Sequence, residues 1–371
     1  MIIKNSKVFS KDYKFEKKDI FIRNGVFSEN PDNGESIDGS GLYAIPGLTD
    51  IHFHGCRGYD FCDGTEEAIS AIADYQLKNG ITTIAPATMT FEEEHLKRIM
   101  ETAKAHQNTG GAELVGINME GPFISAEKKG AQNPRFIHRP DLAMYRRLQE
   151  ASGELIKLVD IAPEEEGSME FIEAVKDEVT VSVAHTTADY DTASEAFTKG
   201  AGQVTHLYNA MPPFLHRAPG VVGAAFDHRN VKVELICDGV HIHPSVVRAA
   251  FQLFGDDRVI LISDSMMATG LEDGDYSLGG QAVKVTGPRA TLKDGTIAGS
   301  ATNLMNCMRT AVLKMRIPLE SAVRAAAVNS AKSIGIFDRY GSIEDGKVGN
   351  VVLLDQDLNL ISVIQKGRKI K

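Results

Sequence analysis

The chain is poor in cysteine, and its cysteines are not grouped. Its 371 residues include only four, namely Cys56, Cys62, Cys237 and Cys307. No two of them have the CxxC spacing that is typical of zinc ribbons and redox dithiols, so the sequence suggests neither of these sites. We therefore expect four reduced thiols in a cytoplasmic protein.

Long runs of basic or of apolar residues are also missing. The formal net charge is −10, and binding to nucleic acid requires clustered Lys and Arg, so we expect no nucleic-acid partner. A single phosphorylated metabolite needs only one or two local cations and stays possible. No stretch approaches the about 20 apolar residues of a membrane span. The first residues, MIIKNSKVFSKDYKF, lack the apolar core of a signal peptide. We expect no membrane partner.

Short apolar runs and helix-period segments alternate through the middle of the chain. Alternating strands and helices indicate a parallel sheet, and eight such units indicate a (β/α)8 TIM-type barrel, here over residues 45–343. The eight candidate strands are Ile45–His52, Ile81–Ala87, Leu114–Met119, Ile156–Ala162, Val181–Ala184, Gln203–His206, Lys232–Cys237 and Val259–Ser263. The segment Asn209–Asn230 after the sixth strand is irregular, which predicts a functional loop.

Both ends of the chain have a different pattern. Residues 1–44 and 344–371 contain short apolar runs separated by turn residues, as in MIIKNSKVFS, DIFIRNGVFS and GNVVLLDQDLNL. Such runs predict small strands. The simplest arrangement joins the two termini in one small β-sandwich domain beside the barrel.

Chemically capable side chains follow five of the candidate strands. In a barrel of this kind the carboxyl ends of the strands face the active site. His52 and His54 are two residues apart, so in a strand both point to the same side. Each residue alone has an ordinary structural explanation, but a buried group of carboxylates and imidazoles is costly unless a metal or mutual pairing satisfies it. The set, which predicts a divalent metal site, is His52, His54, Glu120, His185, His206 and Asp264.

Several segments together carry a resemblance to a known family. They are PGLTDIHFHG, MEGPFISAEKKGAQNP, IAPE, AHTTADY, THLYNAMPPFLHRAPG, CDGVHIHP, ISDSMMATG, GTIAGS and GSIEDGKVGNVVLLD. With these segments the sequence resembles the amidohydrolase superfamily and, within it, the N-acetylglucosamine-6-phosphate deacetylases. Many other amidohydrolases bridge their metals with a carboxylated lysine on the fourth strand. The only lysine of that strand here, Lys157, lies near its start, so Glu120 is the better metal carboxylate.

The resemblance implies a role for each residue at the strand ends. Glu120, His185 and His206 resemble the main metal ligands. His52 and His54 resemble the pair that holds a second metal in those members that have one. Asp264 resembles the catalytic acid and base. One or two divalent ions per subunit are implied, with zinc expected and iron, manganese or cobalt also compatible with such ligands.

The resemblance also implies substrate contacts and a second subunit. Arg217 resembles an arginine that reaches the phosphate of a neighbouring subunit, so a homodimer is implied. The other residues that resemble substrate contacts are Ala131, Gln132, Asn209, Ala210, Asp238, His241, Ile297, Ala298 and Gly299. Gln132 departs from the pattern, because well-known members have a histidine there that polarises the acetyl carbonyl. A glutamine amide can donate a hydrogen bond to that oxygen but cannot carry a positive charge.

The implied reaction is hydrolysis of N-acetylglucosamine-6-phosphate to glucosamine-6-phosphate and acetate. An N-acetylgalactosamine-6-phosphate deacetylase stays open, because one epimeric hydroxyl depends on contacts that sequence does not reveal. Another amidohydrolase acting on a small amide, such as a cyclic-imide hydrolase, is disfavoured by the missing fourth-strand lysine and by the NAMPP loop. A catalytically dead member used for assembly is disfavoured because the metal ligands and Asp264 are all present.

Overall fold

The structure is a computed structural model and describes residues 1–30 and 34–371. Short parallel strands alternate with helices through its middle, as the periodicity predicts, and the fold is mixed α/β. The third strand is interrupted and has two pieces. The eight parallel strands, called first to eighth in chain order, are Leu48–Asp50, Ile81–Ile84, Glu113–Leu114 with Ile117–Met119, Ile156–Ile161, Thr180–Val183, Gln203–Val204, Lys232–Ile236 and Val259–Ile262.

These strands form two parallel sheets. The first three pair in the order third, second, first, and the second piece of the third strand begins another sheet that continues in chain order to the eighth. Neighbouring strands in chain order therefore lie side by side, which is the arrangement that helical crossovers between parallel strands produce. All carboxyl ends in each sheet consequently meet at one edge.

Helices cover the parallel strands, and their ends follow ordinary capping chemistry. Thr65 caps the first of them by accepting a hydrogen bond from the backbone N–H of Ala68, and Ile69, Ile72 and Leu77 form its buried face. The α-helices are Glu66–Lys78, Glu93–Ala105, Leu142–Ser152, Ser168–Val175, Tyr190–Lys199, Gly220–Asp227, Pro244–Phe254, Leu304–Leu313, Leu319–Val323 and Asn329–Ser333. Short 3₁₀ turns occupy Phe61–Asp63 and Pro134–Phe136, and Arg324–Val328 is a π-helical turn.

The two ends of the chain pair in one eight-stranded sheet. Its strands are Ile2–Phe9, Phe15–Arg23, Val26–Ser28, Ser36–Asp38, Tyr43–Pro46, Val351–Leu354, Leu360–Gln365 and Arg368–Lys369. The strand Tyr43–Pro46 connects the two ends, because it pairs with Ile2–Phe9 on one side and Val351–Leu354 on the other. The predicted domain limit at residue 44 therefore falls inside a strand. Residues 31–33 of the predicted segment 1–44 lie outside the described residues.

One segment had no predicted structure, and one prediction differs from the structure. The glycine-rich segment after the eighth strand forms a four-stranded antiparallel sheet, Gly274–Leu278, Gln281–Thr286, Arg289–Thr291 and Ile297–Ser300. The predicted irregular loop is also shorter than expected, because its second half is the helix Gly220–Asp227. A small hairpin, Gly55–Cys56 with Tyr59–Asp60, follows the first parallel strand. Within the described ranges, no helix has both the length and the apolarity needed to span a membrane.

Candidate active site

The six side chains predicted at the strand ends are buried and lie together. Each follows its predicted strand: Glu120 comes directly after the third strand, and the others come within a few residues of their strand ends. Carboxyl ends of parallel strands share an edge, so short connections after them bring their side chains to one place.

Glu120 is the centre of this group. Its Oε1 lies 2.9 Å from His185 Nε2, 3.4 Å from His206 Nε2 and 3.6 Å from His52 Nε2. Its Oε2 lies 3.3 Å from His54 Nε2. The same His54 nitrogen is 3.3 Å from Oδ1 of Asp264. The structure therefore brings together all five predicted metal residues and the predicted acid and base.

The hydrogen-bond partners of two rings indicate where their protons lie. His185 Nδ1 is 2.8 Å from the carbonyl oxygen of Lys128, and His206 Nδ1 is 3.2 Å from that of Asn209. A carbonyl can only accept, so in the neutral ring each Nδ1 carries the proton and each Nε2 presents a lone pair. The two Nε2 atoms are 3.1 Å apart and both face Glu120. Lone pairs that converge in this way on a carboxylate repel one another unless a proton or a metal ion lies between them.

The residues present fit a divalent metal. Imidazole nitrogens and carboxylate oxygens are ligands that zinc and related ions accept. His52, Glu120 and His206 form one group of possible ligands, and His52, His54 and Asp264 form another; within each group the ligand atoms lie within 4.8 Å of one another. Among the described residues, no hydrogen-bond partner satisfies His52 Nε2, His54 Nδ1 or Glu120 Oε2, although all three atoms are buried.

Electrostatics keeps the two site carboxylates ionised. Burial acts to raise the pKa of Glu120, but the neighbouring His52, His185 and His206 outweigh it and hold that pKa well below its usual range. Burial likewise opposes ionisation of Asp264, and the hydrogen bond from His54 with the charge of His52 lowers its pKa overall. Burial lowers the pKa of His206.

The backbone at this edge is strained. His185, His206 and Asp264 have φ values of 43°, 29° and 49°, in the left-handed region that side chains other than glycine seldom occupy. Such conformations persist only where surrounding contacts impose them, and they concentrate at functional sites. For Asp264 the contacts are its own N–H to the His52 carbonyl at 2.9 Å and the Ser300 N–H to its carbonyl at 2.6 Å.

A cavity of about 510 Å³ opens above this group. Seven of the ten predicted substrate residues line it: Ala131, Gln132, Asn209, Ala210, His241, Ile297 and Gly299. Ala298 is fully buried behind the wall. Asp238 lies behind His241 and accepts hydrogen bonds from His241 Nδ1 at 2.7 Å and from the backbone of Val240 and His241. The volume suits a ligand of monosaccharide size.

Gln132 has a fixed orientation. The backbone N–H of Thr90 lies 2.7 Å from Gln132 Oε1. Only an oxygen can accept that N–H, so the assignment of oxygen and nitrogen in this amide follows from the contact. The side chain is buried and lines the cavity, and its Nε2 is left as the hydrogen-bond donor.

Arg217 is not brought to this cavity. It is exposed, and its Nη1 lies 2.6 Å from Nε2 of the adjacent His216. The cavity lining, taken over residues 1–30 and 34–371, does not include it. Two apolar residues of the same loop are also exposed, Phe214 at 48% and Leu215 at 52%.

Several residues at the site were not predicted. The cavity is also lined by Lys128, Lys129, Asp294 and Thr296, and the buried Glu234 contacts His52. Lys128 and Lys129 fall inside a segment that carries the family resemblance, so their position was a usable signal. A glutamate inside the buried strand Lys232–Ile236 was a second usable signal, because a carboxylate is rarely buried without a partner.

Comparison with known proteins agrees with this geometry. A model of the amidohydrolase family matches residues 43–370. The chain therefore belongs to the amidohydrolase family, whose members are typically metal-dependent.

Within that family the chain is similar to N-acetylglucosamine-6-phosphate deacetylase of Bacillus subtilis (strain 168), with 40% identity over 87% of this chain and 83% of the relative. It is 30% identical to N-acetylgalactosamine-6-phosphate deacetylase of Escherichia coli O157:H7, over 87% of this chain and 86% of that relative. A solved structure of an N-acetyl-D-glucosamine-6-phosphate deacetylase variant from Mycobacterium smegmatis, in complex with N-acetyl-D-glucosamine-6-phosphate, superposes with a TM-score of 0.93. That pair is 30% identical, covering 100% of this chain and 98% of the other.

Proposed function

We propose that the protein is a metal-dependent deacetylase that hydrolyses N-acetylglucosamine-6-phosphate to glucosamine-6-phosphate and acetate. The observation that carries this proposal is the group of Glu120, His185 and His206 with Asp264 at the floor of a sugar-sized cavity. The similarity to deacetylases over most of the chain gives the substrate class. Glu120, His185 and His206 would hold the main ion, and His52 and His54 would hold a second where one binds. We propose zinc as that ion, with iron, manganese and cobalt as the other candidates.

The proposed chemistry divides between the ion and the chain. A bound divalent ion would lower the pKa of a water molecule and polarise the acyl oxygen of the substrate. Asp264 accepts the proton of the attacking water and then delivers it to the departing nitrogen, since an amide anion is a very poor leaving group. Its carboxylate is suited to this because it lies within the cavity wall, where a substrate can reach it. The contact with His54 Nε2 at 3.3 Å holds the carboxylate in that position. Gln132 Nε2 donates to the acyl oxygen as charge develops there.

Binding of the sugar phosphate is proposed to position the acetyl group. His241 lines the cavity and is held through its Nδ1 by Asp238, so its Nε2 can face an anion. Burial acts to lower the pKa of His241, but Asp238 outweighs it and raises that pKa, which favours the cationic ring. Asn209, Ala210, Ile297 and Gly299 complete the wall. Orienting contacts of this kind act on rate because they fix the reacting group over the catalytic residues.

A closed barrel is proposed as the frame of this site, over residues 45–343, with residues 1–44 and 344–371 as a small β-sandwich. Backbone contacts between the two parallel sheets support closure. At one junction Ala87 bridges Asn118 between the second and third strands. At the other, the Asp264 N–H donates to the His52 carbonyl and the His54 N–H donates to the Ser265 carbonyl, which joins the chain after the eighth strand to the chain after the first.

The test combines metal analysis with acetate release. Purified protein should contain one or two divalent ions per chain and should release acetate from N-acetylglucosamine-6-phosphate. The rate with unphosphorylated N-acetylglucosamine should be lower by about a hundredfold or more, since each ~1.4 kcal/mol of lost orienting contact is a factor of ten. Equal rates on the two sugars would refute the phosphate contact, and a metal-free active enzyme would refute the mechanism.

N-acetylgalactosamine-6-phosphate is the second candidate substrate. The similarity to a deacetylase of that name, over 87% of this chain, is the observation that favours it. The two sugars differ in one hydroxyl configuration, so a comparison of kcat/KM for both phosphorylated substrates decides between them. We expect the gluco substrate to have the higher value.

A further inference from the structure

We propose that Glu234 is a positioning residue whose negative charge strengthens metal binding through His52 and which holds His52 and the backbone of His206 in place together. This inference rests on the proposed metal site. Glu234 itself does not line the cavity described above. It acts only through the residues that do the binding.

Glu234 is a carboxylate in the interior of the fold. It lies in the seventh strand, Lys232–Ile236, and its side chain has no exposed surface. An isolated buried carboxylate is strongly unfavourable, so its contacts must offset a large desolvation cost.

One oxygen of this carboxylate serves two histidines. Oε2 lies 3.1 Å from His52 Nδ1 and 3.2 Å from the backbone nitrogen of His206. The contact with His52 places a proton on Nδ1 and so turns the lone pair of Nε2 toward Glu120, 3.6 Å away. The contact with His206 helps to hold a backbone whose φ is 29°. Movement of Glu234 would therefore disturb both histidines at once.

The other oxygen anchors Glu234 to the rest of the fold. Oε1 accepts a hydrogen bond from Gln203 Nε2 at 2.6 Å. Gln203 in turn accepts a hydrogen bond from the Ser333 hydroxyl on the helix Asn329–Ser333. Both carboxylate oxygens are thus engaged, and the side chain is fixed from two directions.

The charge of Glu234 has an effect that its hydrogen bonds alone do not have. A ligating imidazole that donates its other N–H to a carboxylate is a more basic ligand than one that donates to a neutral amide, and such outer partners typically change metal affinity by about 10–100-fold. A cation bound beside His52 also compensates the buried charges of Glu120 and Glu234. The charge of Glu234 therefore favours the metal-bound site over the empty site.

An exchange of two neighbouring side chains separates charge from hydrogen bonding. In Glu234→Gln the carboxylate at His52 becomes an amide, whose oxygen can still accept from His52 and His206. In the double variant Gln203→Glu with Glu234→Gln, the amide at 234 donates to the carboxylate at 203, which also accepts from Ser333. Every hydrogen bond is then retained while the charge moves away from His52. Glu234→Asp keeps the charge with a shorter side chain.

Affinity for Zn²⁺ alone, measured by competition with a chelator, is the readout. We expect Glu234→Gln and the double variant to bind about 10–100-fold more weakly than the unmodified protein, and Glu234→Asp to lie between. The matched control is Glu66→Gln. Glu66 is the carboxylate partner of another buried histidine, His106, at 2.9 Å, and this pair lies away from the site. This variant should bind Zn²⁺ as the unmodified protein does.

Each outcome decides the proposal. Full affinity in Glu234→Gln overturns it, and recovery of full affinity in the double variant overturns the role of charge. Unmodified protein that binds no divalent ion overturns both this inference and the proposed function. Because the assay contains no sugar, weak binding in the variants supports Glu234 even if acetate release fails. If the protein releases acetate but the variants bind Zn²⁺ with unaltered affinity, only the proposed role of Glu234 is contradicted.

Discussion

Among the three buried carboxylates Glu120, Glu234 and Asp264, the side chain of Asp264 is the most exposed. Its side chain is 11% exposed, whereas those of Glu120 and Glu234 are 4% and 0% exposed. A residue that exchanges protons with substrate must be reachable, and a residue that holds an ion must be surrounded. This difference in exposure supports the different roles that the resemblance implies for Glu120 and Asp264.

The first residue prediction concerns Asp264→Asn. The ligands Glu120, His185 and His206 are untouched, so metal content should stay at the unmodified level. Turnover should fall by about 10²–10⁴-fold or more, because an amide cannot accept and return the proton. Metal analysis and kcat at saturating substrate are measured on the same preparation. Turnover at the unmodified rate would remove Asp264 from the mechanism, and loss of metal would make it a ligand instead.

The grouping of the strand-end residues could be predicted from sequence, but their detailed environment could not. His52, His185 and Asp264 each follow a recognisable apolar run, and strand ends in a parallel sheet converge whatever the side-chain details. The positive φ of His185 and the orientation of Gln132 depend on distant backbone atoms. Neither is encoded in a local pattern, because Thr90 is 42 positions from Gln132.

The four-stranded antiparallel sheet, residues 274–300, is the largest of the elements that were not predicted from the sequence. Its strands are short and are separated by glycine-containing turns. Each strand therefore has too few alternating apolar and polar residues to be recognised from the sequence. It forms part of the cavity wall through Leu278, Ile297 and Gly299. It also supports Asp264 through the Ser300 N–H. An element of irregular appearance therefore shapes the catalytic edge.

Gly299 packs against the backbone of Asp264. Its φ is +65°, and a Cβ there would lie 3.0 Å from the Asp264 carbonyl oxygen. Gly299→Ala should cost about 1–2 kcal/mol of stability from the left-handed backbone. It should also lower kcat/KM about tenfold or more, because the new methyl group displaces Asp264. Thermal unfolding and kinetics measure the two effects.

Gly287→Ala is the matched control for Gly299→Ala. Gly287 lies in the turn between the strands Gln281–Thr286 and Arg289–Thr291 of the same sheet, has φ +56°, and a Cβ there would meet nothing within 4 Å. It should show the stability loss without the kinetic loss. Equal kinetic losses in the two variants would mean that the contact with Asp264 is not what limits the reaction.

The terminal sheet packs against the main body through one of its two faces. Val351 and Leu353 pack with Ile3, Val8 and other residues of the terminal segments, whereas Val352 and Leu354 pack into the large central core. Successive side chains of a strand point to opposite faces, so this alternation follows from strand geometry. The sequence could predict the pairing of the termini but not which face contacts the main body, because both faces are apolar.

The last prediction is that the active enzyme is a homodimer in which Arg217 completes the neighbouring site. Arg217 is exposed and does not reach the cavity of its own chain, as far as the described residues extend. The exposed Phe214 and Leu215 beside it are apolar residues of the kind that subunit contacts cover. Arg217→Ala should therefore raise KM for the phosphorylated sugar and leave metal content unchanged. Arg229→Ala, an arginine that packs on the Phe226 ring of the following helix, is the control and should keep the original KM.

Complementation tests whether the arginine acts across the interface. Chains carrying Arg217→Ala and Asp264→Asn are co-expressed and assayed at substrate well below KM, with each parent homodimer measured alone. In the mixed dimer, the site of the Arg217→Ala chain keeps its own Asp264 and receives the intact Arg217 of its partner, so activity should exceed the sum of the parents. The opposite site carries both defects and contributes nothing. No excess activity, in a sample shown to contain mixed dimer, would mean that Arg217 acts within its own chain or has no part in binding.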